Sequence, residues 1–343
     1  MDNIKVSFVI PIYNAGKYLV QCLSSLTRQT LKEIEMICID DGSKDNCAEI
    51  IQDFAQRDNR FKIILQTNKG AGASRNIGLD TARGEYVHFL DADDWVCDDF
   101  AQKVYTTAKN NDLDLVCFNV SNYDNKTGIV TPNQFFPPSF WPLNAENKVL
   151  TWKNYKNPFL GNFSAANKLY KTQFLRENNI RFIEDIHFED HPFHIESFLK
   201  SKKLGVINKS LYFYRKNIKE SFMSTMTSDD RVFDIFKVFE ELRKIITDLG
   251  LYEDLRKDYL DYIICLGINM FMNGVSWNKR IKFYNAHKIL CKKIENNEDE
   301  NMVVIHSKSF INFMDVLKYP WFVFFFKYKR LELKQKRLKK EKK

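Results

Sequence analysis

Three times in its first quarter the chain passes through a short apolar run, a polar turn and then apolar residues at helical spacing, and a fourth apolar run follows. Residues 6–10 lead into Pro11-Ile12-Tyr13-Asn14, after which Leu19, Cys22, Leu23 and Leu26 share one helix face. Residues 34–39 reach Asp40-Asp41-Gly42-Ser43 and precede a helix carrying Ile50, Ile51 and Phe54. Residues 61–65 reach Thr67-Asn68-Lys69-Gly70 and precede a helix over about 72–83. Strands alternating with helices in this way predict βαβ units and a mostly parallel sheet, an α/β fold whose ligands bind at the carboxyl ends of the strands. Every polar turn named here sits at such an end.

The fourth run, residues 86–90, stops at Asp91-Ala92-Asp93-Asp94. Asp91 and Asp93 are two apart, so an extended backbone would point them to one side, where they repel unless a cation sits between them. Hard oxygen donors of this kind suit Mg²⁺ or Mn²⁺ shared with phosphate oxygens. Read alone, the acids also fit a turn with helix-capping side chains, since turns favour Asp.

Gly70-Ala71-Gly72-Ala73-Ser74-Arg75, between strand and helix, imitates a dinucleotide fingerprint and fails as one. Arg75 occupies the third glycine position, and the turn follows the third strand where the fingerprint follows the first. No Gly-x-x-x-x-Gly-Lys-Ser/Thr phosphate loop occurs either. The glycines still allow a ligand close to the backbone.

The 343 residues suffice for one large domain or two smaller ones, and the 44% hydrophobic content excludes wholesale disorder. The net charge of +8 is local: residues 327–343 hold ten Lys/Arg against Glu332 and Glu341, a surplus of eight that leaves the rest neutral. A nucleic-acid enzyme spreads its basic charge along a groove, so nucleic acid is not the expected partner. Seven cysteines without Cys-x-x-Cys spacing, and no apolar leader, predict a reduced, cytoplasmic protein.

Beyond the fourth strand, residues 113–119 read as another strand, and 123–157, with Phe135-Phe136-Pro137-Pro138 and Trp141, as a long mobile loop over the site. Order returns over 162–170. Residues 183–193 set Glu184-Asp185 and Glu189-Asp190 before a helix whose first turn holds Pro192, which places Asp190 near its amino end. Residues 204–207 and 211–214 read as two last strands. From about Val232 the period becomes helical, with Phe236, Phe239, Leu242 and Ile246, then Leu255, Tyr259, Tyr262, Leu266 and Met270, then 281–294. This helical region packs on the first domain or on another copy of the chain. Residues 319–326 are too short to span a bilayer, but beside the basic tail they suit an anionic membrane surface. A segment packed on the core with a solvated tail is the alternative.

Taken in order, Val9-Ile10-Pro11-Ile12-Tyr13-Asn14, Ile39-Asp40-Asp41-Gly42-Ser43, Asn68-Lys69-Gly70 with Ala73-Ser74-Arg75-Asn76, Phe89-Leu90-Asp91-Ala92-Asp93-Asp94 and Glu189-Asp190 resemble family 2 of the inverting glycosyltransferases, with the GT-A fold. The likeness covers about the first 215 residues. It implies a GT-A domain over 1–215, with a nucleotide-binding half at 1–100 and an acceptor half at 101–215. A helical region at 216–318 and a membrane-associating tail at 319–343 complete the expected organisation.

The resemblance also implies transfer of a sugar from a nucleotide donor, usually a uridine diphosphate sugar, to a hydroxyl of a saccharide or glycolipid acceptor, on the inner face of the plasma membrane. By that likeness Pro11 and Tyr13 line the base, Asp40 takes the uracil edge, and Arg75 and Asn76 face the ribose and phosphates. Asn14, Gly70 and Ala92 belong to the same donor-binding set. Asp91 and Asp93 form the metal pair for Mn²⁺ or Mg²⁺, and Asp190 is the general base.

The Gln-x-x-Arg-Trp motif and the membrane-spanning helices of the family's processive synthases are absent, which predicts one sugar added per encounter. Glu184-Asp185 competes with Glu189-Asp190 for the base. Tyr214-Arg215, with Ser221 and Ser224 beyond, resembles a loop that reaches the diphosphate, while His187 and His191 are expected to be surface or core residues, with completion of the metal shell as the alternative. The rival function is a catalytically silent nucleotide-sugar binder of the same fold.

Overall fold

The structure is a computed structural model that describes residues 4–133, 142, 144–155, 157–218 and 230–296. The chain divides into two compact units, residues 1–219 and 220–343. In the first, β1 (Val6–Ile12), β2 (Ile34–Asp40), β3 (Phe61–Leu65) and β4 (Tyr86–Phe89) alternate with α1 (Gly16–Thr27), α2 (Cys47–Arg57) and α3 (Gly70–Thr81). These four strands pair in parallel in the order β3-β2-β1-β4. Their near-continuous apolar character follows from burial on both faces, as in Val6, Phe8, Val9 and Ile10, all fully buried.

The sheet then changes direction. β5 (Trp95–Val96), α4 (Phe100–Asn110), β6 (Leu115–Asp124), β7 (Val130–Asn133), β8 (Lys168–Lys171), α5 (Thr172–Glu177), α6 (Asp190–Lys200) and β9 (Leu204–Lys216) complete the unit. The order continues β4-β8-β6-β9-β5, with β7 paired to β6. β8 is antiparallel to both β4 and β6, whereas β6 and β9 run parallel. The result is a mixed sheet with its donor-side turns at one end of the parallel half.

Two expectations are corrected here. Residues 204–207 and 211–214 are not two strands but parts of one, β9, because a register shift against Phe118, Asn119 and Val120 absorbs the exposed Asn208-Lys209 interruption without breaking the pairing. The loop expected from 123 begins in a hairpin: β6 runs on to Asp124 and turns into β7 through backbone bonds from Gly128 N to Asp124 O (2.8 Å) and Asp124 N to Ile129 O (2.9 Å). Phe135, Phe136, Pro137, Pro138 and Trp141 lie outside the described residues, as do Ser221, Ser224 and the 319–343 tail.

The second unit contains α7 (Asp234–Asp248), α8 (Tyr252–Asn269) and α9 (Arg280–Asn296). Ile235, Val238, Phe239, Leu242 and Ile246 form the buried stripe of α7, and Tyr259 of α8 donates to Phe239 O at 2.9 Å. Helices with such apolar stripes gain their stability from packing. Among the described residues no helix is long and apolar enough to cross a membrane.

Candidate functional site

The donor-side turns are built around Asp40, Asp41 and Asn14. Asp40, at the end of β2, accepts from Ser43 N at 2.9 Å. Its neighbour Asp41 gathers three donors, Gln66 Nε2 at 2.7 Å, Lys69 N at 2.7 Å and Gly70 N at 2.8 Å. A carboxylate supplied from β2 thereby satisfies the orphan amides at the start of α3, where a negative charge is favoured. Sequence reasoning singled out Asp40 and passed over Asp41, although the adjacent pair was the signal. Gly70 holds φ +88 with nothing within 4 Å of a would-be Cβ, so its backbone face is open.

Asn14 adopts φ +48, accepts from Lys44 N at 2.8 Å through Oδ1, and donates its own N–H to Ser43 Oγ at 3.0 Å. It ties the β1 turn to the β2 turn. Tyr13 stands 49% exposed beside them, and Pro11 is half-buried within β1.

The acid run does not continue β4. Asp94 N donates to Asp91 O at 3.1 Å, so 91–94 is a turn and not an extended continuation of the strand. Ala92 is buried inside it. Burial, and next the charge of Asp91, push Asp93 up to about 6, opposed by Arg215. Asp94 is structural: Tyr212 Oη donates to Oδ2 at 2.6 Å and Arg215 N to Oδ1 at 2.7 Å, while burial, then Asp93 and Asp91, raise its pKa.

Arg215 is held by partners within the protein. Its guanidinium donates to Asp93 O (2.8 Å), Asn125 Oδ1 (3.0 Å) and Gln21 Oε1 (2.6 Å). It lies 4.8–5.2 Å from the ring centroids of Trp95, Tyr18 and Tyr123. Side chain and backbone together clamp the turn that carries Asp93 and Asp94.

Opposite that turn, Arg75 of α3 is buried among three carboxylates. Nη2 reaches Asp91 Oδ1 at 3.0 Å, and Nη1 reaches Glu189 Oε1 at 2.5 Å and Asp190 Oδ1 at 3.5 Å. Burial opposes its charge, and Asp190, Asp91 and Glu189 outweigh burial, so its pKa is raised. Arg75, expected to face the ribose and phosphates, has its guanidinium engaged by acids on both sides. Asn76 is engaged within the protein likewise. Its Nδ2 donates to Phe182 O at 2.9 Å and Glu184 Oε1 at 3.0 Å, and its Oδ1 accepts from Phe182 N at 3.0 Å. Gly72 completes this face, because a Cβ there would stand 2.6 Å from Ile183 O. Residues 72, 75 and 76, spaced i, i+3 and i+4, therefore bind the 182–190 segment to α3.

Asp190 is the first residue of α6. Burial raises its pKa and Arg75 lowers it, with the net value carried up to about 7. Desolvation therefore outweighs the help that the helix's amino end gives the ionised form. The rival Asp185 has φ +59 in the loop, and its neighbour Glu184 is engaged by Asn76. His191 is stacked on Phe163 at 4.6 Å between ring centroids and 21° between planes, and burial lowers it to about 4.

Asp91 and Asp93 fit a divalent ion. They are hard oxygen donors, and the charge of Asp91 adds to the burial that chiefly raises Asp93, so a cation held by the pair would relieve that repulsion. Among the described residues no group of three or more His, Cys, Asp or Glu converges as a metal cage. The pair would take its remaining ligands from diphosphate and water, as Mg²⁺ sites do.

The family model described as glycosyl transferase family 2 matches residues 7–177. Over 221 residues the chain is 35% identical to an uncharacterized glycosyltransferase, EpsJ of Bacillus subtilis, covering 62% of this chain and 61% of that protein. It is 34% identical over 242 residues to the glycosyltransferase GlyG of Streptococcus pneumoniae, covering 69% of this chain and 78% of GlyG. Among solved structures, S. aureus TarS 1-349 in complex with UDP-GlcNAc superposes with a TM-score of 0.66 at 22% identity, over 84% of this chain and 81% of TarS 1-349.

Proposed function

Because the chain belongs to glycosyl transferase family 2 and has its GT-A fold, we propose that it transfers one sugar, with inversion, from a nucleotide-sugar donor to a hydroxyl of a saccharide or lipid-linked saccharide. The donor inferred is a uridine diphosphate sugar, in keeping with the UDP-GlcNAc bound by TarS. The product belongs to a cell-surface glycan. One observation carries the reading: Arg75 joins Asp91, from the donor-side turn, to Asp190, at the head of the acceptor-side helix, within a single cluster.

In this reading the acceptor oxygen attacks the anomeric carbon on the face opposite the diphosphate. Its proton passes to Asp190, and the breaking carbon–oxygen bond leaves its electron pair on the diphosphate. A pKa carried up to about 7 suits a base that must be ionised near neutrality yet hold a proton well. A divalent ion at Asp91 and Asp93 would supply charge to offset that gathering on the leaving group. Arg215 and Tyr212 hold the Asp93-Asp94 turn, and Asn14 and Asp41 hold the two turns around the open Gly70 face.

The test is turnover of a nucleotide-sugar panel into free nucleoside diphosphate and glycosylated acceptor. Binding of donor without release of nucleotide or transfer would instead establish a silent sugar-nucleotide binder. The aromatic and basic residues at 319–343 carry the further proposal of peripheral attachment to anionic membrane on the cytoplasmic face. Removing them should release the protein from anionic vesicles; sedimentation of the truncated protein with vesicles would defeat that assignment.

A further inference from the structure

Arg75 stands where two sets of acids compete for one cation. On the donor side it makes a good hydrogen bond to Asp91, and on the acceptor side it pairs closely with Glu189. The third contact is unfinished. Nη1 lies 3.5 Å from Asp190 Oδ1, beyond hydrogen-bonding range, and that buried oxygen has no hydrogen-bond partner. Arg75 Nε is also buried without one. A buried carboxylate oxygen and a buried guanidinium nitrogen left without partners are costly, and a movement of about half an ångström toward Asp190 would satisfy the oxygen.

The surroundings favour movement along this line. The guanidinium lies 5.3 Å from the ring centroid of Phe182, which is itself stacked on Phe193 at 3.8 Å and 9° between planes. An aromatic face attracts the cation without imposing the directional demand of a hydrogen bond. The only ion-pair partner of Arg75 outside the 182–190 segment, among the described residues, is Asp91. Asp91 is also the acid expected to hold the divalent ion, and its side chain is 29% exposed. A cation arriving at Asp91 therefore competes directly with Arg75 for the same carboxylate.

We propose that Arg75 is a positioning residue that couples the two sides of the site: cation and donor uptake at Asp91 loosens its hold there and shifts the guanidinium toward Glu189 and Asp190. Donor loading then completes the contact to the proton-accepting carboxylate and draws the head of α6 into place. The coupling rests on the glycosyltransferase reading for its donor. It also works in reverse, because two sites linked through one element must affect each other equally in binding free energy. An acceptor-side change that weakens the pull on Arg75 must make the cation bind less tightly.

The experiment measures affinity of the full chain for Mn²⁺ in the presence of UDP, by the spin-resonance signal of free Mn²⁺, without turnover. Glu189→Gln should weaken Mn²⁺ binding about tenfold, since Arg75 then stays on Asp91. A removed charge also acts through space, so the same substitution is made on Arg75→Lys, whose compact ammonium cannot span both sets of acids. There the loss should fall to less than about twofold. Circular dichroism and a wild-type-like unfolding transition would show that the variants fold. An unchanged affinity in Glu189→Gln, or an equal loss on the Arg75→Lys background, overturns the coupling and leaves the donor site standing. A wild-type protein that takes up no Mn²⁺ with UDP removes the metal assignment and the coupling together.

Discussion

Asn76 and Phe182 are hydrogen-bonded in both directions, Nδ2 to Phe182 O at 2.9 Å and Phe182 N to Oδ1 at 3.0 Å. The pair closes as two backbone strands would, fixing the 182–190 segment on α3. Only an amide side chain has donor and acceptor in this geometry. Asn76→Asp should therefore cost at least about 1–3 kcal/mol in urea unfolding, because it faces Phe182 O and Glu184 without a donor. A variant as stable as the parent would show that the latch contributes nothing.

Asp190→Asn preserves size but cannot accept a proton. Transfer should fall by about 10²–10⁴-fold, a loss larger than any drop in cation or donor affinity that passes through Arg75. Asp185→Asn, in the neighbouring loop, should retain most activity. The reverse ranking would mean that the base has been assigned to the wrong carboxylate.

The raised pKa of Asp190 fixes the sign of two pH effects. Transfer should rise with pH and level above about 7, where the base is ionised. For stability, the unfolded carboxyl ionises from its ordinary value of 3.8, so between that value and about 7 the folded state binds more protons. The stabilisation from a neutral Asp190 is present at low pH and is lost as pH rises through about 7. Asp190→Asn mimics the neutral form, so its melting temperature should gain on the parent as pH rises from 4 to 8. A constant difference would contradict the raised pKa.

Asp93→Asn should abolish transfer together with the metal dependence of donor binding, because the amide keeps the shape and loses the charge. Full activity of the parent protein in excess chelator would refute the metal pair.

The parallel half of the sheet was legible because buried strands and amphipathic helices leave distinct periods in the sequence. The three βαβ units, the start of α6 at Asp190 and the helices of the second unit all followed from such periods. The register shift in β9 was not legible, since Asn208 and Lys209 look like a loop until the pairing with β6 carries the strand past them. Nor were the tasks of Arg75, Asn76 and Arg215. Their residue types suit phosphate contacts, and what commits each to an intramolecular partner is separation in sequence: 114 positions from Arg75 to Glu189, 106 from Asn76 to Phe182, 122 from Arg215 to Asp93. The helix position of Asp190 was legible, but the desolvation that governs its proton was not, because burial is a property of the assembled fold.

The face of α3 formed by Gly72, Arg75 and Asn76 has a consequence for transplanting specificity between relatives. A graft that exchanged residues 101–215 for those of a homologue would bring a foreign 182–190 segment onto a resident helix cut to fit another. A larger residue at 72 would meet the carbonyl of residue 183, which here lies 2.6 Å from the would-be Cβ, and a changed 75 or 76 would leave the incoming acids unclaimed. The practical seam for such a chimaera runs through the helix and not between strands, so a working donor-acceptor hybrid must carry its own three residues of α3 with the graft.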